Sequence, residues 1–439
     1  MGDELAIRST HAVLPDGERA ATVTVSDGRI TGVLAHDAAV DAAEVVDLGG
    51  HALLPGLVDS HVHVNEPGRT EWEGYASATR AAAAGGVTTI VDMPLNSLPP
   101  TLDPASLDAK RDAARGRAHV DVGFWGGAVP ANLGRLHALH DAGALGFKCF
   151  TTDSGVPEFP PLSWDEVRAA LAELAAFDGL LIVHAEDSAT LAAAPAVHGK
   201  AYAGFLASRP VAAETRAVAR LAELVAATGA RAHVLHLSAA EAVAEVASAR
   251  ADGVRLTAET CPHYLTLAAE DVRDDATVFK CCPPIRPGAN REVLWEALAD
   301  GTIDCVVSDH SPCPPALKRG GFASAWGGIA SVQLGLPVVW TQARARGHGL
   351  GDVARWMAAG PATLAGLRHK GRIAAGCDAD LVAFAPDAEW VVDPATLHHR
   401  HPLTPYAGRQ VTGAVLDTWV RGRRCDHRPG GRLLSREAA

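Results

Sequence analysis

Ala52-Leu53-Leu54-Pro55-Gly56-Leu57-Val58-Asp59-Ser60-His61-Val62-His63 is the stretch that decides how this chain reads. It is apolar through its first seven residues but for one turn-forming Gly, and it closes on a His-x-His pair. Alternate side chains of a strand leave the same face, so both imidazoles would emerge together at the strand's end, as a metal site requires. The pair alone is weak evidence among 20 His in 439 residues, and a second one, His399 and His401, reads as a solvated feature near the end of the chain. The first pair gains weight from the segments beyond it. Apolar, strand-like segments recur at 56–63, 87–93, 120–126, 146–150, 180–184, 233–236, 255–259 and 304–308, separated by Ala-rich helical stretches such as 165–177 and 212–228. Alternating βα units of that number predict an α/β chain, a (β/α)8 TIM-like barrel over residues 55–371.

Outside that span the pattern changes. Short strand-like segments at 4–9, 21–26 and 29–34, the last two joined by Asp27-Gly28, match others at 380–385, 390–392 and 415–421. Residues 1–54 and 372–439 are therefore expected to share one small β-sandwich domain beside the barrel. The composition agrees with a large buried core, with 48% apolar and 21% charged residues. A formal net charge of −12 argues against nucleic acid and acidic membrane surfaces as partners. Eight cysteines without compact spacing, and no leader-like stretch before the first strand, lead us to expect reduced thiols in the cytoplasm. No apolar run is long enough to span a bilayer.

The polar residues that could bind something stand where the strands finish: His61 and His63, Lys148, His184, His236 and Asp309. In an α/β barrel the C-terminal strand ends form the active face, so the six would converge there. Each has a plainer reading, since a single His after an apolar strand is ordinarily a hydrogen-bonded core residue and an Asp can cap a helix. The joint pattern favours metal. Lys148 is the unusual member, because it lies inside an apolar strand. Burial near cations lowers an amine's pKa, and the neutral amine can take up carbon dioxide as a carbamate whose two oxygens could bridge two metals.

At this point the chain resembles the cyclic amidohydrolases of the amidohydrolase superfamily, most closely the branch that opens the hydantoin ring of allantoin. The resemblance spans nearly the whole chain. It rests on the segments 55–63, 66–75 and 92–97, on Cys281-Cys282-Pro283-Pro284-Ile285-Arg286, and on Ser308-Asp309-His310-Ser311-Pro312-Cys313-Pro314-Pro315. It implies two divalent metals, zinc above all, with cobalt, manganese or iron acceptable to the same ligands. His61, His63 and Asp309 would hold one metal and His184 and His236 the other, with carboxylated Lys148 between them. Asp309 would double as the general base. Asn96, Ser311 and the backbone around Cys282 would meet the ring's donors and acceptors, whereas Arg69 and Glu71 would orient a loop. The relatives also imply a homo-oligomer, a tetramer or a dimer.

Two related activities compete. Dihydroorotases bind their substrate's carboxylate with an Arg two residues after the second His, where this chain has Asn65, and they carry an Asn and a His where it has Cys282 and Cys313. Hydantoinases place a Tyr shortly after the bridging Lys, where Phe150 and Thr151 stand here. A third reading, a scaffold of the same fold without catalysis, is disfavoured because all six ligand positions are filled.

Overall fold

The computed structural model describes residues 3–426 and 428–436, so the outermost residues of the two expected terminal segments lie outside it. Strands β1 (Asp3–Leu14), β2 (Gly17–Ser26) and β3 (Arg29–Ala35) form an antiparallel meander. Asp27 and Gly28 turn β2 into β3 with φ of 50° and 74°, the positive values that a two-residue hairpin of this hand demands. Strand β4 (Ala42–Asp47) and strand β5 (Ala52–Pro55) both pair parallel to β1.

The opening stretch is therefore not one strand. Gly56 divides it, and β6 (Leu57–Val62) starts a different sheet. A Cβ at Gly56 would sit 2.3 Å from Thr88 Oγ1 and 2.8 Å from the Asp380 Cβ, so only glycine lets the backbone cross between the sheets here.

From β6 the chain continues through β7 (Val87–Asp92), β8 (Asp121–Phe124), the short β9 (Gly126–Gly127), β10 (Phe147–Phe150), β11 (Leu180–His184), β12 (Arg231–Val234), β13 (Leu256–Thr260) and β14 (Cys305–Val306). All neighbours run parallel, as β6-β7-β8 and as β9-β10-β11-β12-β13-β14. Trp125 N–H donates to Asp92 O and Leu145 N–H to Phe124 O across the gap between the two sets. At the far end Val62 bridges to His310, and His63 N–H donates to His310 O at 2.8 Å. The expected strand segments thus appear in order, five of them one to three residues shorter, two shifted by one or two residues and 180–184 unchanged.

The intervening helices form for local reasons. The helix Trp164–Ala175 begins in a capping box between Ser163 and Glu166 and buries Val167, Ala170, Leu171 and Leu174, spaced to make one stripe. The helix Val211–Thr228 stops at Gly229, which is left-handed with φ 67°. Parallel strands covered by such helices are buried on both faces, and every residue of β6, β7 and β11 is buried. None of the described helices is long and apolar enough to cross a membrane.

The chain's last strands return to its first sheet. Residues expected as two segments form the single strand β15 (Leu381–Val391), which pairs antiparallel with β5 and with β16 (Gln410–Val420); β17 (Arg423–Arg424) ends the sheet. A buried ionic cluster ties this sheet to the parallel strands. Lys370 Nζ lies 2.8 Å from Asp121 Oδ2 in β8, 3.1 Å from Asp378 and 2.7 Å from Asp380, while Arg421 also pairs with Asp121. Burial raises the Asp121 carboxyl, but Lys370 and Arg421 outweigh it and hold it below its ordinary value. The stability drawn from Asp121 is therefore complete above its unfolded-state pKa and is lost as pH falls through the lower folded value. Lys370→Met would leave these carboxylates one cation short, and we expect it to cost about 3–5 kcal/mol in urea unfolding at pH 7. A loss under ~1 kcal/mol would show the cluster to be solvated.

Candidate metal centre

All six strand-end residues meet at the C-terminal ends of the parallel strands. His63, Lys148, His184, His236 and Asp309 line one cavity of about 600 Å³, and the fully buried His61 contacts two of them. His61 Nε2 stands 3.2 Å from Asp309 Oδ1 and 3.4 Å from Lys148 Nζ, and His63 Nε2 is 3.6 Å from the same carboxylate. The donor atoms of His61, His63 and Asp309 all lie within 4.8 Å of one another. Across the cavity, His184 Nδ1 faces His236 Nε2 at 3.0 Å. Both His236 and Asp309 take left-handed backbone angles, with φ of 37° and 44°, which are uncommon for non-glycine residues.

Carboxylates behind the rings decide which nitrogens are free. Glu259, at the end of β13, accepts from His61 Nδ1–H at 2.5 Å and from His233 Nε2–H at 3.2 Å. Burial opposes its ionisation, but His61 and His233 prevail and hold it at about 2. With the proton drawn to Nδ1, His61 presents a lone pair at Nε2. Glu186 does the same for His184: it accepts from Nε2–H at 2.7 Å, leaving Nδ1 open, and Arg209 and His184 bring its carboxyl to about 2 against burial. His184 and His236 then turn ring nitrogens toward one another across 3.0 Å, while His236 Nδ1 is buried without a partner. Two neutral imidazoles aimed at one another, with Nδ1 of His236 left unpartnered, form a donor pair that a cation can bind, so the set fits a metal on chemical grounds.

The protonation states suit ligation as well. Burial, aided by the Lys148 and His61 charges, lowers His63; burial and the neighbouring His184 lower His236; both rings are thus neutral at pH 7. Burial brings the Lys148 amine down to about 8, although Asp309 and Glu259 pull it upward. That places a substantial neutral fraction within reach near neutrality, as carbamate formation needs.

The substrate-side residues divide. Asn96, Cys282 and Ser311 all line the cavity. Asn96, however, also sits 3.3 Å from His63 Nδ1 and so supports a ring. Arg69 donates to Asn96 O at 3.1 Å and to Glu158 at 2.5 Å, which is the loop-orienting part expected of it. His399 departs from its reading as a solvated residue. It is 4% exposed beside His310, because Arg400 donates its backbone N–H to Glu73 and folds the segment under the site.

Several supporting roles escaped the sequence reading. Asp92 ends β7 and accepts from Val64 N–H, Tyr75 Oη and Lys110 Nζ, fixing the turn after His63. His310 accepts at Nδ1 from Ser331 and Val332 N–H and donates from Nε2 to Glu73, which anchors the backbone beside Asp309. Glu186 and Glu259 had one signal available, an acidic residue at the end of an apolar strand. Glu259→Gln should keep the fold and weaken metal binding roughly 10–100-fold, as loss of a ligand's supporting carboxylate does elsewhere, read from metal competition with a chelator. Unchanged affinity would reduce Glu259 to a packing role.

Comparison with known proteins bears on the chain as a whole. A model of the amidohydrolase family matches residues 52–425. An allantoinase of Streptomyces avermitilis is 58% identical over 440 residues, spanning 99% of either chain. An allantoinase of Saccharomyces cerevisiae is 44% identical and spans 95% of this chain and 94% of that protein. Among solved structures, the L-hydantoinase (dihydropyrimidinase) of Arthrobacter aurescens superposes with a TM-score of 0.92 at 32% identity, covering 99% of this chain and 98% of that one.

Proposed function

The chain belongs to the amidohydrolase family, and on that premise we propose that it hydrolyses the hydantoin ring of allantoin to give allantoate. The observation that carries the reading is the convergence of His61, His63, Lys148, His184, His236 and Asp309 on one cavity. The choice among cyclic amides rests on the allantoinases that match it almost end to end. The cavity supports a neutral ring as well. Its cations beyond Lys148 are already engaged, Arg209 with Glu186 and Lys280 with Ala325 O, and Asn65 offers no charge to a substrate carboxylate.

Two divalent ions, zinc by expectation, would be held by His61, His63 and Asp309 on one side and by His184 and His236 on the other, with Lys148 between them as a carbamate. When bound, they supply the Lewis acidity that activates water and polarises the ring carbonyl. Asp309 takes the proton of the attacking water and returns it to the ring nitrogen as the amide C–N bond breaks. Glu259 and Glu186 keep His61 and His184 in their ligating tautomers throughout. Asn96, Ser311 and the backbone at Cys282 orient the ureide by hydrogen bonds along the cavity wall.

The proposal extends to architecture. Residues 55–371 close into a (β/α)8 barrel, supported by the Val62–His310 bridge between its first strand and the segment that follows its last. Residues 1–54 and 372–439 form a small β-sandwich, supported by one apolar cluster that joins Leu5, Ile7 and Val23 to Leu381, Ala383 and Trp419. A homo-oligomer, tetramer or dimer, is supported by the exposed Val391 and Leu416 on the neighbouring strands β15 and β16. All eight cysteines are free, in keeping with the cytoplasm.

The test is a side-by-side assay of metal-loaded protein on allantoin, dihydroorotate, hydantoin and dihydrouracil. Allantoin should be opened at least about tenfold faster than dihydroorotate, the scale of one missing charge-assisted contact. Equal or faster turnover of dihydroorotate would sink the substrate while leaving the reaction class intact.

A further inference from the structure

One wall of the cavity has little secondary structure of its own. Ser324, Ala325, Trp326, Gly327 and Gly328 line it, in a stretch that comes after the single 3-10 turn Pro315–Lys318 and contains Gly320, Gly321, Gly327 and Gly328. A glycine-rich segment of this kind has high conformational freedom, and something must remove it if the wall is to present a defined surface. Two ammonium groups do so from behind. Lys318 Nζ donates to Trp326 O at 2.9 Å, to Gly328 O at 2.6 Å and to Lys280 O at 3.4 Å, so its three N–H bonds are all directed at backbone carbonyls. Lys280 Nζ donates to Ala325 O at 2.6 Å. Lys280 is tied to the wall a second time, because its carbonyl accepts from Gly328 N–H at 2.8 Å.

Neither amine has a carboxylate partner among the described residues, and each grips different peptides of the wall. Lys318 holds the carbonyls of the two residues on either side of Gly327, whereas Lys280 holds that of Ala325 before them. An ammonium so placed does for a loop what strand pairing does for a sheet, fixing successive peptide planes relative to one another. Lys318 does not line the cavity with the strand-end residues, and its donors are all spent on backbone.

We propose that Lys318 is a positioning residue for the reaction: by gathering the carbonyls of Trp326, Gly328 and Lys280 it sets the cavity wall 324–328, and through that wall the affinity for the cyclic ureide. The role rests on the ring-opening reading for its substrate, but the wall-holding itself does not. It belongs to binding rather than to chemistry, so its loss raises KM and leaves kcat nearly alone.

The device is also sensitive to alkali. Burial pulls the Lys318 amine down to about 8, and the Lys280 ammonium pushes the same way. The thiols of Cys313, Cys281 and Cys282 face it too and oppose the shift only when ionised, which burial disfavours in each. Loss of the proton removes the charge and one of the three donors together. The Lys280 amine is itself lowered by burial, so the two lysines are separated by variants.

Lys318→Met keeps the length of the side chain and deletes the donors. With allantoin as substrate, KM should rise about tenfold or more while kcat stays within about threefold, and Lys318→Arg, which keeps a charged donor, should recover part of the loss. In the unmutated protein, KM should climb between about pH 7 and 9, whereas in Lys318→Met it should already be high and flat over that range; Lys280→Met should retain the climb. A KM unchanged by Lys318→Met overturns the proposal. If that variant does not fold, an unmutated KM flat to pH 9 does so instead. Cleavage by an arginine-specific protease at the exposed Arg319 supplies a readout free of any substrate. Faster cleavage in Lys318→Met supports the wall-holding even if allantoin proves not to be the substrate, and cleavage at the unmutated rate overturns it.

Discussion

Replacing Lys148 with alanine is expected to empty the centre of bridged metal and to remove nearly all turnover. The side chain lies in β10 with 2% of its surface exposed, its Nζ 3.4 Å from His61 Nε2 and 4.9 Å from the centre of the Phe150 ring. A fully charged ammonium is poorly placed there, since burial strips its water and outweighs the pull of Asp309 and Glu259. Converted to a carbamate, the same side chain carries a negative charge and two oxygens, which reverses the electrostatics. The loss should exceed the roughly 10–100-fold seen on removal of a ligand's supporting partner, because here the ligand itself goes. Metal analysis should fall from two ions per chain to one or fewer, and a short carboxylic acid added to the assay should restore part of the activity by supplying bridging oxygens. Reconstitution of metal-free protein should also be slower in buffer purged of carbon dioxide. Unchanged metal content and turnover in Lys148→Ala would show an ordinary buried lysine.

The second large effect belongs to Asp309. Asp309→Asn should preserve the fold and some metal yet cut turnover by more than the roughly 10²–10⁴-fold typical of lost general acid–base catalysis, because ligation weakens too. Burial raises its carboxyl above the ordinary range, and the charges of His61 and Lys148 draw it back down. The acid limb of the rate profile should therefore report a coupled set of groups rather than Asp309 alone, and it should fall as pH drops and the base fills with its proton. A fully metallated variant with near-normal turnover would refute the role. His310 is no substitute, for its Nδ1 accepts two backbone N–H groups and its Nε2 is bound to Glu73. His236, whose Nδ1 has no partner, would be the group to test next.

The site was legible because its residues obey a rule that sequence displays: strands are apolar, and what binds stands where they stop. His61, His184 and Asp309 each break an apolar run at or near such a point, and Lys148 interrupts one from within. What sequence concealed were relations across the fold. Glu259 and Glu186 matter through the ring each one faces, Asp92 through Val64, Tyr75 and Lys110, and Lys318 through carbonyls, which every residue carries and no motif marks. His399 read as solvated because a His-x-His pair near the chain's end says nothing about the Glu73 that draws its neighbour inward. The same limit applies to Gly56. Its role in dividing an apolar run between two sheets depends on Thr88 and Asp380, remote from it in sequence.

The pairing of β5 with β15 carries a consequence for the order of events in synthesis. Leu53 and Ala383 lie opposite one another, yet the second leaves the ribosome roughly 330 residues after the first, about 15–65 s at ordinary rates of translation. Through that interval the parallel strands can assemble in order while one edge of β5 stays unpaired, a few residues upstream of the strand that holds His61. An open edge invites another chain to add to it. Ribosomes queued on one message would bring many such edges close together, so the nascent chain is most exposed to association between copies after its binding residues are in place and before its final strands arrive.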